Sequence, residues 1–198
     1  MRCIPLFARR AAVVALVFFA TPNASVSADP TLPAKGEIEV KAYSVAGSSI
    51  PRLVLRTVMD VPPKKVWQIV SDCAHYKEHL PDIVSSEVLT RSSNADTCKV
   101  TYSMPFPFSN LTGVTESVNE VSDRRMVRRW KHVSGDYKLN TGSWEVTPVD
   151  AAGTSSLVTY TIQVDPNVAV PDFLRDSAQK KTLPAILKRI RAEAAKLP

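Results

Sequence analysis

"VPPKKVWQIVSDCAHYKEHLPDI", Val61 to Ile83, decides how the rest of the chain is read. Two prolines open it, and Val66, Ile69, Val70 and Cys73 follow, with Trp67 beside them. Spacings of three and four put those four residues on one helical face, and proline is well tolerated in a first helical turn. After Asp72 the pattern breaks into a short second piece. It stops at Leu80-Pro81, because a residue before proline is driven out of the helical region. The stretch therefore predicts two short helices with one apolar side, and that side needs a surface to rest on.

The flanks supply the surface. Upstream, "PRLVLRTVMDV" (Pro51 to Val61) alternates Leu53, Leu55, Thr57 and Met59 against Val54, Arg56, Val58 and Asp60, the period of a strand. "GEIEVKAYSV" (Gly36 to Val45) is a candidate short strand before it. Downstream come "IVSSEVLTRS", "TCKVTYSMP", "GVTESVNEV", "RRMVRRWKHV", "LNTGSWEVTPV" and "SSLVTYTIQV", all strand-like. The breaks "SNAD", "PFPFSN", "SDR", "SGDY" and "DAAG" between them suit hairpin connections. A helical pattern then runs from about Pro171 to Lys196, with Leu183, Leu187, Ile190, Ala194 and Leu197 on one stripe that Ile186 widens. Pro184 lies inside it and should kink or restart the helix near Thr182.

This order predicts an α+β chain: one curved antiparallel sheet wrapped around a long C-terminal helix, with two short helices after the first firm strand. The terminal helix is the element long enough to cover the concave face, and the short helices are expected to close one end of the cup.

Composition bounds the setting. Arg2, Arg9 and Arg10 precede the apolar run "AAVVALVFFA" (Ala11 to Ala20), and Val26-Ser27-Ala28 offers a small-x-Ala cleavage site. The apolar run is short for a membrane span, so residues 1–28 read as a signal peptide and 29–198 as one mature domain. Cys3 precedes the apolar core, which excludes the lipoprotein pattern. The leader carries three of the 25 basic residues and none of the 19 acidic ones, leaving the mature chain near +3. A nucleic-acid binder is not supported, and the expected location is periplasmic or secreted. Cys73 and Cys98 are candidates for a disulfide in that compartment. Their geometry stays open, because Cys73 ends a helix and Cys98 begins a strand. No Cys/His cluster has zinc spacing; His75 and His79 are four apart, but Tyr-Lys-Glu separates them and no third ligand is near. A Gly-x-Ser-x-Gly elbow and Rossmann or P-loop glycine motifs are absent, so neither a metal nor a cofactor is implied.

The element order resembles the helix-grip fold of the START/SRPBCC superfamily, which includes lipid-transfer domains, coenzyme Q-binding proteins and polyketide cyclases. The resemblance spans roughly Pro51 to Leu197. Beyond the opening stretch it rests on "MPFPFSN" (Met104 to Asn110), on "VSGDYKLNTGSWEVTPV" with its Ser-Gly turn and Gly-x-Trp strand, and on "VTYTIQVDPNVAVPDFL" followed by "LPAILKRIR". It implies an exported START-like domain that binds a lipid or other hydrophobic small molecule between sheet and C-terminal helix, as a monomer and without catalysis. The competing class is a cofactor-independent cyclase or dehydratase, in which Tyr102, Tyr137, Tyr160 or His132 would orient the chemistry. A third is an interaction module whose pocket has collapsed.

The candidate cavity set is Tyr102, Met104, Phe106, Glu116, Arg128, Trp130, Trp144, Tyr160, Ile162, Phe173, Leu183 and Leu187. Within it, "RRMVRRWKHV" (Arg124 to Val133) carries arginine on both strand faces. If Trp130 points inward, Arg128 goes with it, and a buried guanidinium needs a partner. Glu116 or Glu120 on the preceding strand is the expected one. Such a pair either fixes strand register alone or leaves Arg128 partly free for a ligand's carboxylate, phosphate or carbonyl. From Pro171 to Pro198 seven basic residues stand against Asp172, Asp176 and Glu193, which makes an anionic membrane surface a candidate partner.

Overall fold

The computed structural model describes residues 31–198; the signal-peptide reading of residues 1–28 lies outside them. Eight strands form one antiparallel sheet in the order β1-β2-β8-β7-β6-β5-β4-β3. They are β1 (Glu39–Tyr43), β2 (Arg52–Met59), β3 (Ile83–Arg91), β4 (Ala95–Tyr102), β5 (Leu111–Val121), β6 (Met126–Gly135), β7 (Tyr137–Pro148) and β8 (Ser156–Pro166). The β2-to-β3 connection holds α1 (Pro63–Ser71) and α2 (Tyr76–His79), and the chain finishes with α3 (Asp172–Ser177) and α4 (Leu183–Lys196).

The apolar stripe of α1 is buried as its spacing requires, with Val66, Ile69 and Val70 inside. The helix stops at Asp72, and a 3₁₀ turn over Cys73–His75 leads into α2. Tyr76 ties the break together: its hydroxyl donates to the Val70 carbonyl at 2.6 Å, satisfying an acceptor that the end of α1 leaves free. At the C-terminus a π-helical turn, Ala178–Thr182, joins α3 to α4 just ahead of Pro184. Proline cannot donate and crowds the carbonyl four residues back, so the ladder widens there rather than running through.

One core cluster joins Leu55, Met59, Val146 and Val158 of the sheet to Val66, Ile69 and Val70 of α1 and Leu187, Ile190 and Ala194 of α4. This corrects one expectation. α1 is not an end plug but a second cover of the concave face beside α4. Closure of the end falls to α2 and Leu80, whose Tyr76 packs with Ile83 and Val100 in a smaller cluster. Arg191 fastens α4 to β2, its Nη2 donating to Thr57 Oγ1 at 3.1 Å and to the Val58 carbonyl at 3.3 Å.

The sheet is open, with β1 and β3 as edges. β1 has five residues, and the pairing of β3 with β4 shifts register twice, between Ile83 and Ser85 and between Val88 and Thr90. Cys73 and Cys98 are joined in a disulfide, with Cα atoms 6.3 Å apart, that ties the turn after α1 to β4. Its sequence separation of 25 residues corresponds to roughly 3 kcal/mol of stabilisation through the unfolded state. Replacing both cysteines by alanine is expected to lower the free energy of urea unfolding by about that amount; an unchanged midpoint would contradict it.

Candidate ligand-binding cavity

α4 and α1 cover the concave face only in part. Where the C-terminal helix passes from α4 into α3, a cavity of about 600 Å³ lies between it and the ends of β4, β7 and β8. Small-ligand sites typically occupy about 300–1,000 Å³. Ile50, Leu53, Ile162, Val164, Leu174, Leu183 and Ile186 make it largely apolar. Ser49, Asp82, Ser103, Pro105 and Arg175 at its rim are exposed, so it opens to solvent. A second chamber of about 70 Å³ lies deeper, toward α2 and the middle of the sheet. Tyr102, Asn140, Tyr160 and Ile162 border both, so the two spaces meet at a waist.

An aromatic ladder builds the inner wall. Trp144 and Tyr160 are cross-strand partners on β7 and β8, and their rings stack with centroids 3.9 Å apart and planes 9° from parallel. Trp130 continues the series at 6.0 Å from Tyr160. Its indole crosses β7 at Gly142, its cross-strand partner. A Cβ on Gly142 would lie 2.4 Å from the indole and 2.3 Å from the Thr161 carbonyl oxygen, so glycine is what permits the ring to lie there. Trp130 Nε1 donates to Asn140 Oδ1 at 3.0 Å.

Among the described residues one charged side chain borders the inner chamber, and it is neutralised. Arg128 faces inward with Trp130, as the alternation of β6 requires. Its side chain is 2% exposed and its partner's 4%. That partner is Asp96 of β4, bound bidentately: Nη2 to Oδ1 at 2.6 Å and Nη1 to Oδ2 at 3.0 Å. Nη1 also donates to Asn119 Oδ1 at 3.1 Å. The expected partners are elsewhere, because Glu116 and Glu120 alternate onto the outer face. There Glu116 meets Lys131 at 2.8 Å and Glu120 meets Arg129 at 2.6 Å. Arg128 is thus not a free cation awaiting an anionic guest.

Of the sequence-derived set, Tyr102, Met104, Arg128, Trp130, Trp144, Tyr160, Ile162 and Leu183 line one chamber or both. Four residues do not. Phe106 is 97% exposed at the tip of the β4–β5 loop, and Phe173 is 67% exposed. Phe173 is one residue out of phase, its neighbour Leu174 facing the cavity. Glu116 is out of phase in the same way, between Thr115 and Ser117, which line the inner chamber. Leu187 is fully buried in the core, directly after Ile186, the last residue of α4 that reaches the cavity. Sequence reasoning missed Asp96, Asn140 and Tyr76. Asp96 carried the one usable signal, since aspartate is depleted in strands and needs a reason to be there.

Burial raises the pKa of Tyr102 and of Tyr160, and that of Tyr137 is pushed up to about 12 by burial and by nearby Asp136. All three present neutral hydroxyls at physiological pH. His132, the other candidate for chemistry, lies against Tyr137 rather than in the cavity wall. Among the described residues no group of three His, Cys, Asp or Glu side chains could hold a metal ion.

The sequence pattern of the family described as "Polyketide cyclase / dehydrase and lipid transport" matches residues 59–191. No curated protein matches the chain in sequence. A STAR-related lipid transfer protein from Xanthomonas axonopodis superimposes with a TM-score of 0.70 at 22% identity, over 84% of this chain and 98% of that one. Human STARD10 gives 0.72 at 18% identity, over 84% and 72%. The Zhui aromatase/cyclase from Streptomyces sp. R1128 gives 0.56 at 15% identity, over 74% and 94%. These likenesses show a shared helix-grip fold.

The Arg128–Asp96 pair yields a test of what holds the inner chamber. Asp96→Ala strands a buried guanidinium and is expected to cost about 3–5 kcal/mol in urea unfolding. Replacing both residues by leucine should recover most of that loss. A double variant as unstable as the single one would mean the pair is not the source of the cost.

Proposed function

We propose that this chain, which belongs to the polyketide cyclase / dehydrase and lipid transport family, binds and carries a lipid or other hydrophobic small molecule without transforming it. The observation that carries the reading is the apolar cavity of about 600 Å³ under the C-terminal helix, adjoining an aromatic-walled inner chamber that shares part of its lining. Burying about 400 Å² of guest surface at ~25 cal/mol per Å² gives about 10 kcal/mol before the cost of association. The STAR-related similarities favour the same reading. A cyclase or dehydratase would need a group in the wall able to take and return a proton. The described wall offers neutral phenols, a locked ion pair and Asp82 at the solvent rim, which favours binding over reaction.

On this reading residues 1–28 are removed on export, and 29–198 act as a monomer in the periplasm or outside the cell. The Cys73–Cys98 disulfide suits an oxidising compartment. Native mass spectrometry after mild extraction from the host is expected to show one apolar molecule retained per chain. A chain that emerges empty and takes up no lipid from vesicles would overturn the carrier reading.

A carrier must meet a membrane, and the rim suggests how. Exposed Phe106 and Phe173 are the chain neighbours of Pro105 and Leu174, which border the opening. No helix among the described residues is long and apolar enough to cross a membrane. Charge has a smaller part than the sequence suggests: Arg189 and Lys196 both pair with Glu193, and Arg191 is fastened to β2. Each phenyl ring inserted among lipid chains contributes roughly 1.5–3 kcal/mol. Flotation with anionic vesicles should therefore survive high salt and be lost in the Phe106→Ser, Phe173→Ser double variant. Absence of flotation by the unaltered chain at both low and high salt would dispose of the docking surface.

A further inference from the structure

At the waist between the chambers, polar groups of Asn140, Tyr102 and Tyr160 face open space. Asn140 is 7% exposed, and its amide oxygen is committed to Trp130 Nε1 at 3.0 Å. That bond fixes the orientation of the amide, so its NH₂ points the other way, toward the gap over Gly113. A Cβ placed on Gly113 would lie 3.4 Å from Asn140 Nδ2. No described residue accepts a hydrogen bond from this NH₂, while Asn140 borders both chambers. The hydroxyls of Tyr102 and Tyr160 border the same two spaces and likewise have no hydrogen-bond partner among the described residues. Tyr160 is 6% exposed, its ring held in the stack with Trp144. A donor that faces a cavity gains when a guest brings it an acceptor. Here such donors converge on a space large enough for a guest.

We propose that the waist is a receptor for an uncharged oxygen, a carbonyl or hydroxyl, on the otherwise apolar guest, with Asn140 Nδ2 and the Tyr160 hydroxyl as its donors and Tyr102 beside them. This rests on the carrier reading above and specifies its ligand. The sign of charge follows from the neighbours. Arg128, the cation of the inner chamber, is bound bidentately by Asp96 and again by Asn119, so the chamber has no net positive charge to offer an anion. A carboxylate or phosphate at the waist would lose its hydration to neutral donors alone, which is far costlier than burying a ketone or alcohol. Such a guest enters oxygen first, its oxygen at the waist and its apolar body in the larger cavity.

The test uses three twelve-carbon probes at pH 8, dodecan-2-one, dodecane and dodecanoate, titrated calorimetrically into the full chain and into two variants. Tyr160→Phe removes one hydroxyl and keeps the stacked ring. Asn140→Asp keeps the acceptor for Trp130 and removes the donors. Thermal melts establish that each variant is folded; should the aspartate variant fail to fold, the phenylalanine variant decides. Dodecan-2-one is expected to lose about three- to tenfold in affinity in each folded variant, with dodecane unchanged within twofold. Dodecanoate should bind the unaltered chain more weakly than the ketone. Equal responses of ketone and alkane to the variants, or tighter binding of the carboxylate, would overturn the receptor while leaving the carrier reading intact. Failure of all three probes to bind would overturn both.

Discussion

A curved eight-stranded sheet presents more concave apolar face than two helices can cover. α4 supplies Leu187, Ile190 and Ala194, α1 supplies Val66, Ile69 and Val70, and together they seal the half of the sheet around Leu55, Val146 and Val158. Over the other half lie the π turn and α3, which line the cavity from the helix side. The cavity is what remains of the concave face when the covering runs out. Pro184 stands at that change, just after the π turn.

Inside that cavity polarity is rationed. Arg128 and Asp96 bring two full charges to the least accessible part of the sheet, and their bidentate geometry with Asn119 as a third partner is what makes the burial tolerable. Replacing such a pair by apolar residues is often neutral in stability, so stability alone does not account for it. Its evident effect is geometric: it ties β4 to β6 across β5 and fixes the floor under Trp130. The aromatic ladder above depends on that floor and on the missing side chain at Gly142.

Much of this was legible in the sequence because it is periodic. The stripe of α1, the alternation of β2, the six downstream strands and the interruption at Pro184 all follow from local rules, and so does the inward turn of Arg128 with Trp130. What was not legible depends on two strands that are not neighbours in sequence. Asp96 reaches Arg128 over β5, so a search for partners confined to the adjacent hairpin found Glu116 and Glu120, which face outward. Phe173 and Glu116 were each misplaced by one residue, an error that in a helix rotates a side chain by about 100° and in a strand reverses it. Leu187 fell just past the boundary, since the stripe it shares with Leu183 does not say where cavity gives way to core.

The open edges of the sheet have a consequence for assembly. A barrel would have no free edge. An open sheet risks recruiting another chain's strand along its unpaired backbone. Both edges are poor templates. β1 offers only five residues, with a charged Glu39–Lys41 pair along it, and β3 is broken twice by shifts in register that interrupt any long straight run of donors and acceptors. Each edge therefore presents little straight backbone on which a strand of another chain could pair.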